Sequence, residues 1–255
     1  MKFSSIRSGI AIMIALLAIL GFSTGTYAQQ KGAPPPPNVP KVNPKEQADY
    51  KALLAATDPD KKIQLGKDFL QRYPTSLYIS AVYDHLVNAY YAKQDWDSFY
   101  ATADQAIAKD PDDVDTLALV GWVIPHVYRP DDPDHEKKLD RAETYEKHAL
   151  EVLPNVTKPA SLTDDQFAMA KAQREVQIHS GLGLVYFRQM DYDNAAKELQ
   201  LATKDPDADA TDLYVLGISL QNLKRNSDAA AAFQKCSAIP GGLQDRCKQS
   251  AESVK

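Results

Sequence analysis

Two stretches near the C-terminus repeat at a fixed offset of 34 residues, and this offset constrains the chain more than any other feature. In the first, Leu182, Gly183 and Tyr186 are followed by Ala195, Leu199 and Ala202. In the second, Leu216, Gly217 and Leu220 are followed by Ala229, Phe233 and Cys236. The first three positions of each set mark one face of a helix, and the last three mark a face of a second helix. Glycine and alanine allow two helix axes to approach closely where they cross. Tyr186 and Leu199 then fill the space beside the crossing. A lone helix pair cannot bury both of its faces, so a unit of this length stacks on copies of itself. Gly183→Leu is expected to overpack the crossing, at roughly 1–3 kcal/mol.

The same template fits upstream. Tyr83, Leu86 and Tyr90 suit the first helix of a unit starting near Ser80, and Ala106 and Pro111 close its second helix. Trp96 stands where Tyr192 stands in the later copy, while Val87 and Phe99 occupy the usual small positions, so this pair packs differently. The next copy carries Val120 and Gly121, then Ala142, Ala149 and Pro154. About nine extra residues, Pro125 to Asp134, separate its halves and read as a loop. A fainter copy covers Pro44 to Ser76 and ends in Arg72-Tyr73-Pro74. The units thus fall at about 45–79, 80–113, 114–156 with its insertion, 176–209 and 210–243.

A 34-residue period is that of the tetratricopeptide repeat, and the chain resembles that superfamily over about 45–243. The stretch Phe69-Leu70-Gln71-Arg72-Tyr73-Pro74-Thr75-Ser76-Leu77-Tyr78, followed by Ala81, Leu86, Ala89 and Tyr90, is more specific. It is similar to the repeats of bacterial envelope lipoproteins and periplasmic coordinators that help assemble the outer membrane. The resemblance implies a scaffold that docks other proteins. Almost no segment alternates with a period of two, and helix formers dominate. The expected fold is all-α: a right-handed, tetratricopeptide-type helical solenoid over 45–255, with about eleven antiparallel helices and a C-terminal capping helix.

The N-terminus reads as a secretory signal over residues 1–28. Lys2 and Arg7 precede an apolar run from Ile10 to Phe22, and Thr26-Tyr27-Ala28 is an acceptable cleavage site. The rival reading is an uncleaved anchor, for which the run is short against a hydrocarbon core of ~30 Å. No cysteine follows the run, so this chain departs from the lipoprotein relatives. An exported location, periplasmic or secreted, is expected. Residues 29–44 hold Pro34-Pro35-Pro36-Pro37 and Pro40 and read as an extended linker. Loss of Lys2 and Arg7 with the signal leaves 27 basic against 34 acidic residues, a net charge of −7. That balance disfavours nucleic acid and anionic lipid as partners. The two cysteines, Cys236 and Cys247, invite a disulfide in an exported chain. Such a bond staples a final amphipathic helix over the end of the stack. A redox-active pair is the alternative, and the spacing is not Cys-x-x-Cys.

Signs of chemistry are weak. None of His85, His126, His135, His148 and His179 is paired with another histidine four residues on. Asp131, Asp132, Asp134, His135 and Glu136 cluster in the insertion, where oxygen ligands suit calcium. Their spacing is not that of an EF-hand, and a solvated acidic loop is the bland reading. No catalytic set, cofactor or metal site is assigned. In a stack of helix pairs the first helices line a concave groove. By spacing, its side chains are Asp84, Asn88 and Tyr91, then Ala118 and Trp122, then Leu184 and Phe187, then Tyr214, Ile218, Gln221 and Asn222. Amides there can hydrogen-bond a peptide backbone while aromatics take its side chains. The rival reading packs Trp122, Leu184 and Phe187 on neighbouring helices. The functional expectation is a non-catalytic protein-interaction scaffold of the bacterial cell envelope that holds a peptide or helix of a partner. The alternative is a periplasmic small-ligand or metal-binding protein, or an accessory subunit of an envelope enzyme.

Overall fold

The computed structural model describes residues 43–204 and 207–254. The expected signal peptide, nearly all of the Pro-rich linker, and Asp205 and Pro206 lie outside the described residues. Among the described residues there are eleven α-helices. They are α1 (Pro44–Ala55), α2 (Pro59–Arg72), α3 (Ile79–Lys93), α4 (Trp96–Lys109), α5 (Val114–His126) and α6 (His135–Val152). After a 3-10 turn at Leu153–Asn155 follow α7 (Asp164–Arg188), α8 (Tyr192–Ala202), α9 (Ala210–Asn222), α10 (Asn226–Ser237) and α11 (Gln244–Ser253). The fold class is all-α, as expected, with consecutive helices paired in hairpins.

Local chemistry sets the helix ends. Asp58, Asp95, Asp191 and Asp209 cap α2, α4, α8 and α9 by accepting backbone N–H groups of the first turn. Among the described residues three hairpins turn through a non-glycine residue in the left-handed region: Gln94 (φ 57°), Met190 (φ 62°) and Lys224 (φ 60°). Each is closed by the same bond pattern. Asp95 N donates to Tyr90 O, Asp191 N to Tyr186 O, and Arg225 N to Leu220 O, all at 2.9–3.1 Å. The aromatic register also recurs. Tyr91 meets Trp96 at 6.2 Å and 62°, and Phe187 meets Tyr192 at 6.1 Å and 62°.

Two differences from the sequence reading concern helix bounds. The α5 helix runs through Pro125 to His126, so the inserted loop starts after the proline rather than at it. The α7 helix begins twelve residues before the expected repeat at 176, and spans 25 residues. Its start is a reciprocal cap: Thr163 Oγ1 accepts from Gln166 N, and Gln166 Oε1 accepts from Thr163 N.

The described chain forms two compact units. The first comprises α1–α4, the first turn of α5 and residues 157–167. Its core holds Leu53, Phe69, Val82, Leu86, Val87 and Phe99. The Arg-Tyr-Pro stretch is structural: Arg72 Nη1 (3.0 Å) and Tyr73 OH (2.8 Å) both donate to Asp49 of α1. Tyr78 stacks on Tyr50 at 4.2 Å.

The second unit comprises residues 117–156 and 168–254. Its core joins Leu184, Leu199, Leu216, Leu220, Phe233 and Val254. The small residues of the repeat act as expected. A methyl group added at Gly183 would lie 2.5 Å from Leu199 Cγ. Cys236 and Cys247 are joined in a disulfide that ties α11 to α10. Both cysteines are fully buried beside Leu213, while Gln244, Asp245, Arg246, Lys248 and Gln249 face solvent.

Candidate partner-binding surface

In the first unit, α3 carries Asp84, Asn88 and Tyr91. Tyr91 is 7% exposed and packs on Trp96 and on Phe99 at 6.3 Å. It closes the α3–α4 hairpin and is not an open groove residue. Asn88 Nδ2 donates to Asp84 O at 2.8 Å, so its amide is turned back onto its own helix. Asp84 is half-buried, with Thr116 Oγ1 3.5 Å from one carboxylate oxygen. Burial, then the Asp113 carboxylate beside it, push the Asp84 carboxyl well above the usual range.

In the second unit, two more groove assignments are corrected. Leu184 belongs to the core. Trp122 is 9% exposed and covered by His126, whose ring lies 3.7 Å away. His126 Nδ1 donates to Trp122 O at 2.7 Å. Burial lowers this imidazole to about 4, so it is neutral near pH 7. Trp122 is covered from its own helix, and Leu184 packs with Leu199, Leu216 and Phe233. Ala118 is also fully buried.

The remaining groove residues keep accessible surface. Phe187 and Ile218 are partly buried against the core, and Gln221 and Asn222 are exposed. Asn222 Nδ2 donates to Ile218 O at 2.9 Å. Tyr214 packs on Phe233 at 5.7 Å, with the Arg246 guanidinium 5.9 Å from its ring centre. Of the sequence-derived set, Phe187 on α7 and Tyr214, Ile218, Gln221 and Asn222 on α9 thus keep accessible surface.

The sequence reading missed a second surface. A pocket of about 380 Å³ opens where α8, α9 and α10 meet. Leu213, Leu216 and Leu220 form its floor, and Lys204, Arg225 and Lys235 stand around it. Asp228 pairs with Arg225 at 2.7 Å. The leucine spacing was legible, but it reads equally as core.

Polar pairs elsewhere tie helices together. Ser180 Oγ of α7 donates to Asp212 of α9 at 2.9 Å. Burial raises the Asp212 carboxyl to about 7, and Asp209 adds to the shift. His179 Nδ1 meets Glu198 Oε2 of α8 at 2.6 Å. In the inserted loop, Asp132 accepts from Asp134 N at 3.0 Å and pairs with Lys138, and Asp134 pairs with Lys137. His135 Nδ1 donates to Asp132 O at 2.6 Å. Those contacts shape the loop and the start of α6. Among the described residues no group of three or more His, Cys, Asp or Glu is placed to hold a metal ion.

Sequence reasoning also passed over Glu146. It is fully buried on α6, midway between Ala142 and Ala149, the two alanines that mark the repeat. The signal was its register, which is that of Leu199 and Phe233.

No protein-family model matches the chain, and no curated protein matches it. Among solved structures it is similar to TTC0263, a thermophilic TPR protein of Thermus thermophilus. The identity is 17% and the TM-score 0.49, over 82% of this chain and 98% of that one. It is also similar to the TPR domain of P58(IPK), at 16% identity and a TM-score of 0.33, over 82% of this chain and 54% of that one.

Proposed function

We propose that the chain is a non-catalytic scaffold of the bacterial cell envelope that captures a peptide or helix of a protein partner. The observation that carries this reading is the set Phe187, Ile218 and Gln221 on paired helices, two apolar side chains only partly buried against the core and an exposed amide. Apolar side chains beside an amide suit a peptide, whose backbone needs hydrogen bonds and whose side chains need apolar contact. Export rests on the N-terminal charge and apolar pattern, and on a buried disulfide, which persists in oxidising compartments.

The test is crosslinking in intact cells with the mature chain tagged in its Pro-rich segment, followed by recovery from envelope extract. One stoichiometric envelope protein is expected. It should be lost from the Phe187→Ala/Ile218→Ala/Gln221→Ala variant and retained by Lys204→Glu/Lys235→Glu. The opposite pattern would move the contact to the α8–α10 pocket. A well-folded chain that recovers nothing specific, or one found only in the cytoplasm, would overturn the reading.

A further inference from the structure

The residue that fits into the helix crossing differs among the repeats. Gly183 of α7 faces Leu199 of α8, and Gly217 of α9 faces Phe233 of α10. In the α5–α6 hairpin the glycine is Gly121 and the residue facing it is Glu146. The alanines around it, Ala142 and Ala149, match Ala195 and Ala202, and then Ala229 and Cys236. At the wedge itself an apolar side chain has become a carboxylic acid.

This acid is enclosed on two sides. A methyl group built at Gly121 would lie 2.5 Å from Glu146 Cγ, and one at Gly181 would lie 1.9 Å from Glu146 Oε1. The side chain is therefore seated directly on the backbones of α5 and α7. It is 0% exposed, and among the described residues neither carboxyl oxygen has a hydrogen-bond partner. An ionised carboxylate so placed is strongly disfavoured; a neutral acid is not.

We propose that the α5–α6–α7 crossing is a proton-operated latch, closed while the Glu146 carboxyl is protonated and loosened when it ionises. The charged groups around it agree. On α7, Arg174 is 3% exposed and its charge favours the carboxylate, but its Nη1 donates to Gln177 Oε1. Glu175 lies on the outer side of α7 near His179, and His179 is engaged with Glu198. On α5, Asp115 lies in the first turn and His126 in the last, away from Gly121. On α6 itself, Glu143 accepts from Lys147, Tyr186 and Gln189, and Arg141 stacks over Tyr145. Among the described residues the cation acting on Glu146 is thus Arg174, and ionisation draws the acid off the two glycines and toward it.

The sign follows from linkage. Burial raises the Glu146 carboxyl well above its ordinary 4.5. The stabilisation of the closed crossing is therefore complete below about pH 4.5 and is lost as pH rises through the folded value.

The experiment is hydrogen exchange of α6, corrected for the intrinsic rate at each pH, together with thermal melting of the mature chain from pH 5 to 9. The proteins are wild type, Glu146→Leu, Glu146→Gln and, as a comparator, Asp212→Asn. Wild-type α6 should lose protection as pH rises. Glu146→Leu and Glu146→Gln should abolish that dependence, and Asp212→Asn should keep it. If Leu overfills the site, Gln decides. Protection of α6 that is flat in wild type, or falls equally in Glu146→Gln, would overturn the latch. So would unfolding of both neutral variants at pH 5, where the closed state requires an uncharged wedge.

Discussion

Gly217→Ala tests the packing logic of the repeat most directly, because two effects of opposite sign compete there. The new Cβ would sit 2.4 Å from Phe233 Cε1, 2.6 Å from Cδ1 and 2.7 Å from Cζ. Ordinary carbon contacts are about 3.5 Å or more, so the ring must retreat by about 1 Å. Phe233 is fully buried and touches Tyr214, so it has little room to do so. Overpacking of this kind costs roughly 1–3 kcal/mol. Against it, alanine is better than glycine inside a helix by about 1 kcal/mol. The expected net loss is about 1 kcal/mol, or a fall in Tm of roughly 2–4 °C for a chain of this size. Urea titration of the wild type, Gly217→Ala, Phe233→Leu and the double variant forms the cycle. Leucine leaves room for the added methyl, so the double variant should be more stable than the sum of the singles, by about 1 kcal/mol. A single variant stabilised by the full helix-propensity gain, with an additive cycle, would falsify the close approach of α9 and α10.

Three further outcomes are expected. Lys224→Gly relieves a left-handed residue at φ 60°; roughly 1–2 kcal/mol of strain less a glycine entropy cost of roughly 0.4–1 leaves a gain of roughly 0.5–1 kcal/mol, read by urea titration. Asp212→Asn should leave stability unchanged near pH 4 and raise it at pH 8. The carboxyl is raised to about 7 in the fold, so its contribution is complete below the ordinary aspartate range and lost as pH rises through 7, by at most about 4 kcal/mol; equal pH profiles for variant and wild type would refute this. Reduction of Cys236–Cys247, which closes a loop with a sequence separation of 11, should cost about 3 kcal/mol in the chain-entropy account, checked by melting with and without reductant.

The repeat was legible because close helix crossings demand small residues at fixed spacing, and Gly183, Gly217, Ala195 and Ala229 stand at those positions. The end of the chain was legible for a similar reason: two cysteines and a polar helix leave few arrangements. Groove exposure was not. Tyr91 and Trp122 have the composition of a binding surface, but what covers each is decided by side chains five to eight residues away on the next helix, or on its own helix. Periodicity places a residue on a helix face without saying whether that face is filled. The early start of α7 was present as Thr163 and Gln166, a pair with meaning only once both lie at the head of a helix. Glu146 was hidden by its type, since a pattern search for apolar positions skips a glutamate that sits where Leu199 and Phe233 sit.

The disulfide has a consequence for the order in which the second unit comes apart. In a stack where each hairpin is held by its neighbours, loss of structure begins at an unprotected end and travels inward. The covalent bond from α11 to α10 removes the C-terminal edge as a starting point, and Val254, seated in the core beyond α11, closes it further. Separation of α11 from the α9–α10 hairpin therefore waits on rupture of a covalent bond, whatever becomes of the hydrogen bonds along the helix.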